Sequence, residues 1–373
     1  MLFRLKTFLR FLCLASLALA GSVNHDLLDT PLPGMPPVLN PADIYSEDHA
    51  GKLSPVVRDF PARIYVPNSA SNTVDVIDPE TYKIVGHFDV GKQPQHVVPS
   101  WDLKTLWVLN DLGDTLTRID PATGKKGQTI PVQDPYNMYY TPNGKYAIVV
   151  AEAQKRLDFY NPQTMRRESF LKVPCKGVDH MDFSANGRIA VASCEFSGEL
   201  LMIDVAEKKV LGKLMLRPDA KPQDVKTSPD GRVFYVADMM SDGVWIIDAE
   251  KFQKTGFLST GRGAHGLYAS RDSKVLYCSN RGEASVTVID FSTRKIVKKW
   301  QFAPVGTASP DMGGVSADGK VLWLSGRYNR DVYAIDTKHG HLLARIPVGK
   351  GPHGLCVYPQ PGRYSIGHTG VFR

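Results

Sequence analysis

Three features of the sequence predict an all-β fold, a β-propeller of seven four-stranded antiparallel blades. An alternating apolar segment recurs at a regular interval, a tight-turn signal recurs with it, and no stretch carries a competing helical period. The segment ends each time in a turn-forming Asp or Asn: TVDVID at Asp78, LTRID at Asp120, LDFYN at Asn161, LLMID at Asp204, VWIID at Asp248, VTVID at Asp290 and VYAID at Asp336. The intervals are 42, 41, 43, 44, 42 and 46 residues.

Three more short segments accompany each copy, rich in Val, Ile, Tyr or Trp and bounded by turn residues, so each copy holds four strands, a to d. The copy around Asp248 shows the order: PQDVKTS, the turn SPDGR, VFYVAD, GVWIID, then the segment around Phe257. The a-to-b turn recurs as SWDLK, TPNGK, SANGR, SPDGR, SRDSK and SADGK, mostly with the Asp-Gly or Asn-Gly pair that a tight hairpin needs. A four-stranded unit of this size cannot bury both faces alone, whereas a ring of them can. Strand a then lines a central channel and strand d the rim. The array opens on a strand b (Arg63 to Asn68) and closes on a strand a (Gly354 to Pro359), so the two ends of the chain complete one blade. Residues Arg363 to Gly370 also read as a strand b, which leaves an eighth, composite blade as the alternative; seven is favoured.

Residues 1–20 read as an export signal, with Arg4, Lys6 and Arg10 before an apolar run and Ala18-Leu19-Ala20 as the cleavage site. The run is too short to span a bilayer. Without those three cations the net charge of +7 drops by three, and the remaining Lys and Arg alternate with Asp and Glu, so neither a nucleic-acid partner nor a membrane span after signal removal is supported. Residues 21–60 form a Pro-rich arm and 61–373 the propeller. In the oxidising compartment that follows from export, Cys175 and Cys194 are expected to pair, because both fall at the same end of one blade; Cys278 and Cys356 read as buried small hydrophobes. The expected location is periplasmic or secreted.

The stretch RIYVPNSASNTVDVIDPETYKIVGHFDVG (Arg63 to Gly91) resembles the repeat of the YVTN-type β-propeller proteins, and the resemblance extends from Pro61 to the C-terminus. It implies the propeller fold. Its wider group includes surface-layer and secreted proteins, lactonase-like proteins and the haem-binding propeller of nitrite reductases, so it implies no single activity.

Alternating strand directions put the d-to-a and b-to-c loops on one face of the disc. There the d-to-a loops carry His96, Asn137, His180, Asp224, His265, Asp311 and His353, and the b-to-c loops add Glu152, Glu195, Arg281 and Arg327. Imidazoles with carboxylates at a channel mouth suit copper, zinc or iron, or acid–base work near neutral pH. His180 and His353, then His96 and His265, are the candidate metal ligands. Counted back from the turn, His96 and His180 sit four residues away and His265 five; adjacent strand positions point opposite ways, so convergence is not guaranteed. Arg281 and Arg327 suit a carboxylate or phosphate clamp, or pairing with Glu283 or Asp331. Glu152 and Glu195 suit metal ligation, a general base, or pairing with Lys155 and Arg156.

GRGAHG (261–266) and GKGPHG (349–354) match a dinucleotide glycine fingerprint but lead into strands, not helices, and are set aside. His25, His49, His87 and His368 find no support from the repeat, and His339 and His341 fall in a turn on the opposite face. The reading favours an exported binding or scaffold module that holds a small ligand or protein partner at its His-rich face. The alternative is a metal- or tetrapyrrole-dependent redox or cofactor-handling protein. A lactonase-like hydrolase built on Glu152 or Glu195 and an Arg ranks third.

Overall fold

The computed structural model describes Leu27, residues 29–368 and Arg373; the expected export signal at 1–20 lies outside the described residues. Seven four-stranded antiparallel sheets form the blades. Blade 1 is shared between the ends of the chain: its strand a (Cys356–Tyr358) pairs with strand b (Arg63–Asn68) through Tyr65↔Cys356 and Ile64↔Val357. Strands a of blades 2 to 7 are Pro94–Pro99, Asn137–Tyr140, Val178–Phe183, Pro222–Thr227, Ala264–Ala269 and Pro310–Val315. Those six inner strands are buried at every position but Ala269, whereas an outer strand such as Lys209–Met215 alternates exposed and half-buried positions, as a half-solvated β-surface should. Seven apolar clusters fill the space within and between blades; one joins Val74 and Val76 to Val97, Leu106 and Val108 across blades 1 and 2.

The eighth blade does not form. After strand a of blade 1 the chain crosses the disc and runs along strand a of blade 3. Ser365 N–H donates to Trp101 O (3.1 Å), Tyr140 N–H to Ile366 O (3.0 Å) and His368 N–H to Met138 O (3.1 Å). Tyr364 and Arg373 bond reciprocally, and residues 364–368 enter the channel from the a-to-b turn side. Gly367 is required there: its φ is +95°, and a Cβ would lie 2.4 Å from Tyr139 Cα. Tyr364 and Ile366 join the core of blades 3 and 4, and such burial contributes about 1.5–3 kcal/mol per side chain. Arg373 sits buried with its guanidinium on Asp182 Oδ1 (3.3 Å) and Phe183 O (2.9 Å).

The arm covers the same face. Asn143 and Asn186 side chains donate to Pro33 O and Leu27 O, Ile44 N–H donates to Pro229 O, and Tyr45 Oη to Thr227 O, so the arm crosses the a-to-b turns of blades 3 to 5. Arm and tail together close one end of the channel. The other end, where the d-to-a and b-to-c loops gather, is not covered by arm or tail among the described residues. Cys175 and Cys194 form a disulfide there, with Cα atoms 6.1 Å apart, while Cys278 and Cys356 are buried free thiols.

Candidate metal centre at the channel mouth

Five imidazoles meet inside the channel. Ring centroids lie 4.9 Å apart for His96 and His353, 4.9 Å for His96 and His368, 5.6 Å for His96 and His180, 4.6 Å for His180 and His368, and 6.1 Å for His265 and His353. All five are at most 2 % exposed. The register obstacle is removed by irregularities at the starts of the inner strands: pairing with strand b skips between Pro94 and His96, Val178 and Met181, and Ala264 and Leu267. Such bulges re-aim side chains, so histidines four and five residues from their turns reach the same space.

His368, which the repeat gave no ground to place in a shared site, lies in this one. A repeat-based reading assigns residues by blade position, and His368 belongs to no blade; the tail segment 364–368 carries it in. The signal present in the sequence was the alternation Tyr364, Ile366, His368 in a segment with no blade left to join. A ligand atom from each of His180, Asp224 and His368 falls within a group 4.8 Å across, and the first two are residues expected at this face.

Asn137 organises two of the rings. Its carbonyl accepts from Met138 N–H (2.8 Å), which turns its NH2 toward His180 Nδ1 (3.0 Å) and His368 Nδ1 (3.2 Å). An N–H donor there means that both Nδ1 atoms accept from Asn137, which puts the proton of each neutral ring on Nε2, and His368 Nε2 lies 4.0 Å from Asp224 Oδ1. An ion would take these rings in place of the Asn137 amide or after the tautomers switch. His96 is held differently. Neither ring nitrogen has a hydrogen-bond partner although the side chain is fully buried, a situation that costs about 1–3 kcal/mol per unpaired group. Gly354 makes the room: a Cβ would sit 2.0 Å from His96 Nδ1.

Asp311 anchors the other side. His353 Nδ1–H donates to Asp311 Oδ2 (2.7 Å), His265 Nδ1 lies 3.2 Å from Oδ1, and Arg281 Nε donates to Oδ1 (3.1 Å). The His353 bond leaves its Nε2 as the lone-pair nitrogen, the carboxylate–histidine arrangement that orients metal ligands. Arg281 therefore reaches inward, not to Glu283 or Asp331 as the duller sequence reading had it: Glu283 pairs with Lys299 and Asp331 with Arg345. Arg156, expected as a partner for Glu152, binds Asp158. Arg327 leaves Nη1 buried and unpaired, and its charge bears on His96 and His353.

Burial, then mutual repulsion and the nearby arginines, hold the imidazoles neutral: His180 is pushed down to about 3, His353 to about 4, and His96, His265 and His368 well below the ordinary value. Burial raises Asp224 to about 7, and raises Glu152, with help from Asp111 and Glu195, to about 7. Asp179, with both oxygens buried 3.2 Å or more from the His180 ring, and Glu195, hydrogen-bonded to Gln223, are raised for the same first reason. Burial opposes ionisation of Asp311 too, but Arg281, His265 and His353 outweigh it and keep the carboxylate charged.

Fold and site together define a seven-bladed propeller whose channel, closed at one end by arm and tail, gathers an imidazole cluster. The chain belongs to the YNCE-like β-propeller family, whose model matches residues 47–362. Protein YncE of Escherichia coli O157:H7 is 25% identical over 172 residues, which is 43% of this chain and 47% of that protein, so the chain spans about half the length of this relative. Among solved structures, hydrazine synthase of Kuenenia stuttgartiensis superposes with a TM-score of 0.64 at 20% identity, covering 74% of this chain and 92% of the other. Dihydro-heme d1 dehydrogenase NirN superposes with 0.61 at 14% identity, covering 87% and 82%. At those identities the likeness is one of fold.

Proposed function

We propose that this chain is an exported binding module whose ligand is a transition-metal ion, held in the channel by His180, His368 and Asp224 with His96 and His353 as further donors. The gathering of buried, neutral imidazoles beside one carboxylate, with a donor atom each from His180, His368 and Asp224 inside a group 4.8 Å across, carries the reading. A metal needs deprotonated ligands: burial keeps the imidazoles neutral before any ion arrives, whereas Asp224, raised to about 7, gives up its proton when the ion binds. A donor set of imidazole and carboxylate without thiolate or thioether suits Cu(II), Zn(II) or Ni(II), and copper binds such sites most tightly of the divalent series. Asp311 and Arg281 fix ring orientation; the arm and tail exclude solvent from the far side.

A tetrapyrrole fits less well. The imidazoles stand ring to ring with centroids 4.6–5.6 Å apart, which leaves no slot for a macrocycle between them. Export is supported by the N-terminal signal pattern and by a disulfide within the blade that carries His180.

Full-length protein stripped with chelator and titrated with Cu(II) and Zn(II), with bound metal counted by elemental analysis, tests the reading. It expects stoichiometric binding that the His180→Ala/His368→Ala double variant loses. Equal binding by the variant and the parent protein would overturn it.

A further inference from the structure

The uncovered face carries a second pattern, built from positions that repeat around the ring. In the d-to-a loops of blades 1, 2, 4 and 6 the same place holds Lys350, Lys92, Lys176 and Arg262, and in blade 5 the next position along holds Lys221. In the b-to-c loops, two residues past strand b, four blades expose a large apolar side chain: Leu112 at 60 %, Phe196 at 57 %, Met240 at 51 % and Tyr328 at 69 %. The backbone sets the two positions side by side. Phe196 N–H donates to Lys176 O (3.1 Å), Ala70 N–H to Lys350 O (3.0 Å) and Gly282 N–H to Arg262 O (2.9 Å).

On the a-to-b side three of the turn cations are matched within their own turns, Lys274 to Asp272 (3.3 Å), Lys320 to Asp318 (3.3 Å) and Arg232 to Asp230 (3.9 Å), and Arg188 pairs with Asp204. None of the five mouth-face cations has a carboxylate within 4 Å among the described residues, the ion pairs there being made by other residues such as Arg217 and Lys299. Unmatched cations alternating with exposed Phe, Met and Tyr suit an anionic macromolecular surface that also offers apolar contact. Inside that ring the same face presents Asp111, Glu152 and Glu195, half-buried around the opening. An anionic lipid surface repels such carboxylates; a folded protein can meet them with donors.

We propose that the mouth face docks a protein partner through an acidic patch on that partner, which seats over the channel opening. The inference stands on loop positions and charge and does not require the metal reading.

The test uses the full chain in the cells that produce it, with a photo-crosslinking amino acid in place of Phe196 or Tyr328, and of Leu39 on the covered side as control. The protein captured from both mouth positions is identified, purified and titrated against parent protein and against the Lys92→Glu/Lys176→Glu/Lys350→Glu variant at low and high salt. The expected result is capture from the mouth positions alone, and affinity that falls about tenfold or more on charge reversal and with salt. No adduct from either mouth position, equal capture from Leu39, affinity indifferent to the reversal, or binding to phosphatidylglycerol vesicles in place of a protein would each overturn it.

Discussion

Asp311 is the side chain on which two of the five imidazoles bear, since His353 and His265 face its oxygens together with Arg281. It faces His353 at the nitrogen opposite the one offered to an ion, so its part is to position. Asp311→Asn should weaken metal binding about 10- to 100-fold, the usual effect of removing a carboxylate behind a ligating histidine. Calorimetric titration with Cu(II) checks this, and unchanged affinity would remove Asp311 from the site. Gly354 acts by what it lacks. Gly354→Ala puts a methyl group onto His96, so the ring must move or the strand must shift, at a cost of about 1–3 kcal/mol. Denaturant midpoints and metal stoichiometry measured together should both fall. The convergence of these residues on one face followed from strand polarity in the sequence. Their orientation did not, because it depends on bulges that displace the pairing by a residue and leave no mark in composition.

At the level of elements, the blades were legible because each local signal agrees with the next: alternation, Asp-Gly turns and a terminal Asp that caps the following turn. Asp248 shows the last of these, its Oδ1 accepting from the Glu250 and Lys251 N–H groups. The tail was not legible. Arg363 to Gly370 has strand-like alternation, and only the ring closing between Cys356–Tyr358 and Arg63–Asn68 leaves it free to enter the channel. Blade 4 is stapled where it delivers His180, since Cys194 ends strand b opposite Val178 and binds Cys175 ahead of it. Replacing both cysteines with alanine should lower stability by about 2–4 kcal/mol, read as a shift in urea midpoint with little change in slope. A wholly unchanged midpoint would show that the loop before His180 is held by its hydrogen bonds alone.

For the molecule as a whole, closing one end of a seven-bladed ring with its own arm and tail turns a channel into a cup lined by histidine. That construction makes stability depend on pH. Below the ordinary histidine value near 6.5 the unfolded chain takes up protons that native His180, at about 3, and His353, at about 4, do not, so the native state loses stability as pH falls through that range. Asp224 works the other way: with its value raised to about 7, the native carboxyl keeps a proton that the unfolded chain releases, which favours the fold as pH falls toward 4. Glu152, Asp179 and Glu195, raised by burial, act in the same sense as Asp224, so the imidazole contribution is read by difference. Between about pH 6.5 and 4, metal-free His180→Gln/His353→Gln should lose less stability, or gain more, than the parent protein, measured as urea midpoints; identical pH profiles would remove the buried histidines from the pH dependence. Crystals of full-length protein loaded with Cu(II) and measured at the copper absorption edge address the central claim most directly. An anomalous peak enclosed by His180, His368 and Asp224 is the expected result, whereas a peak on the outer surface with none inside the channel would contradict the account.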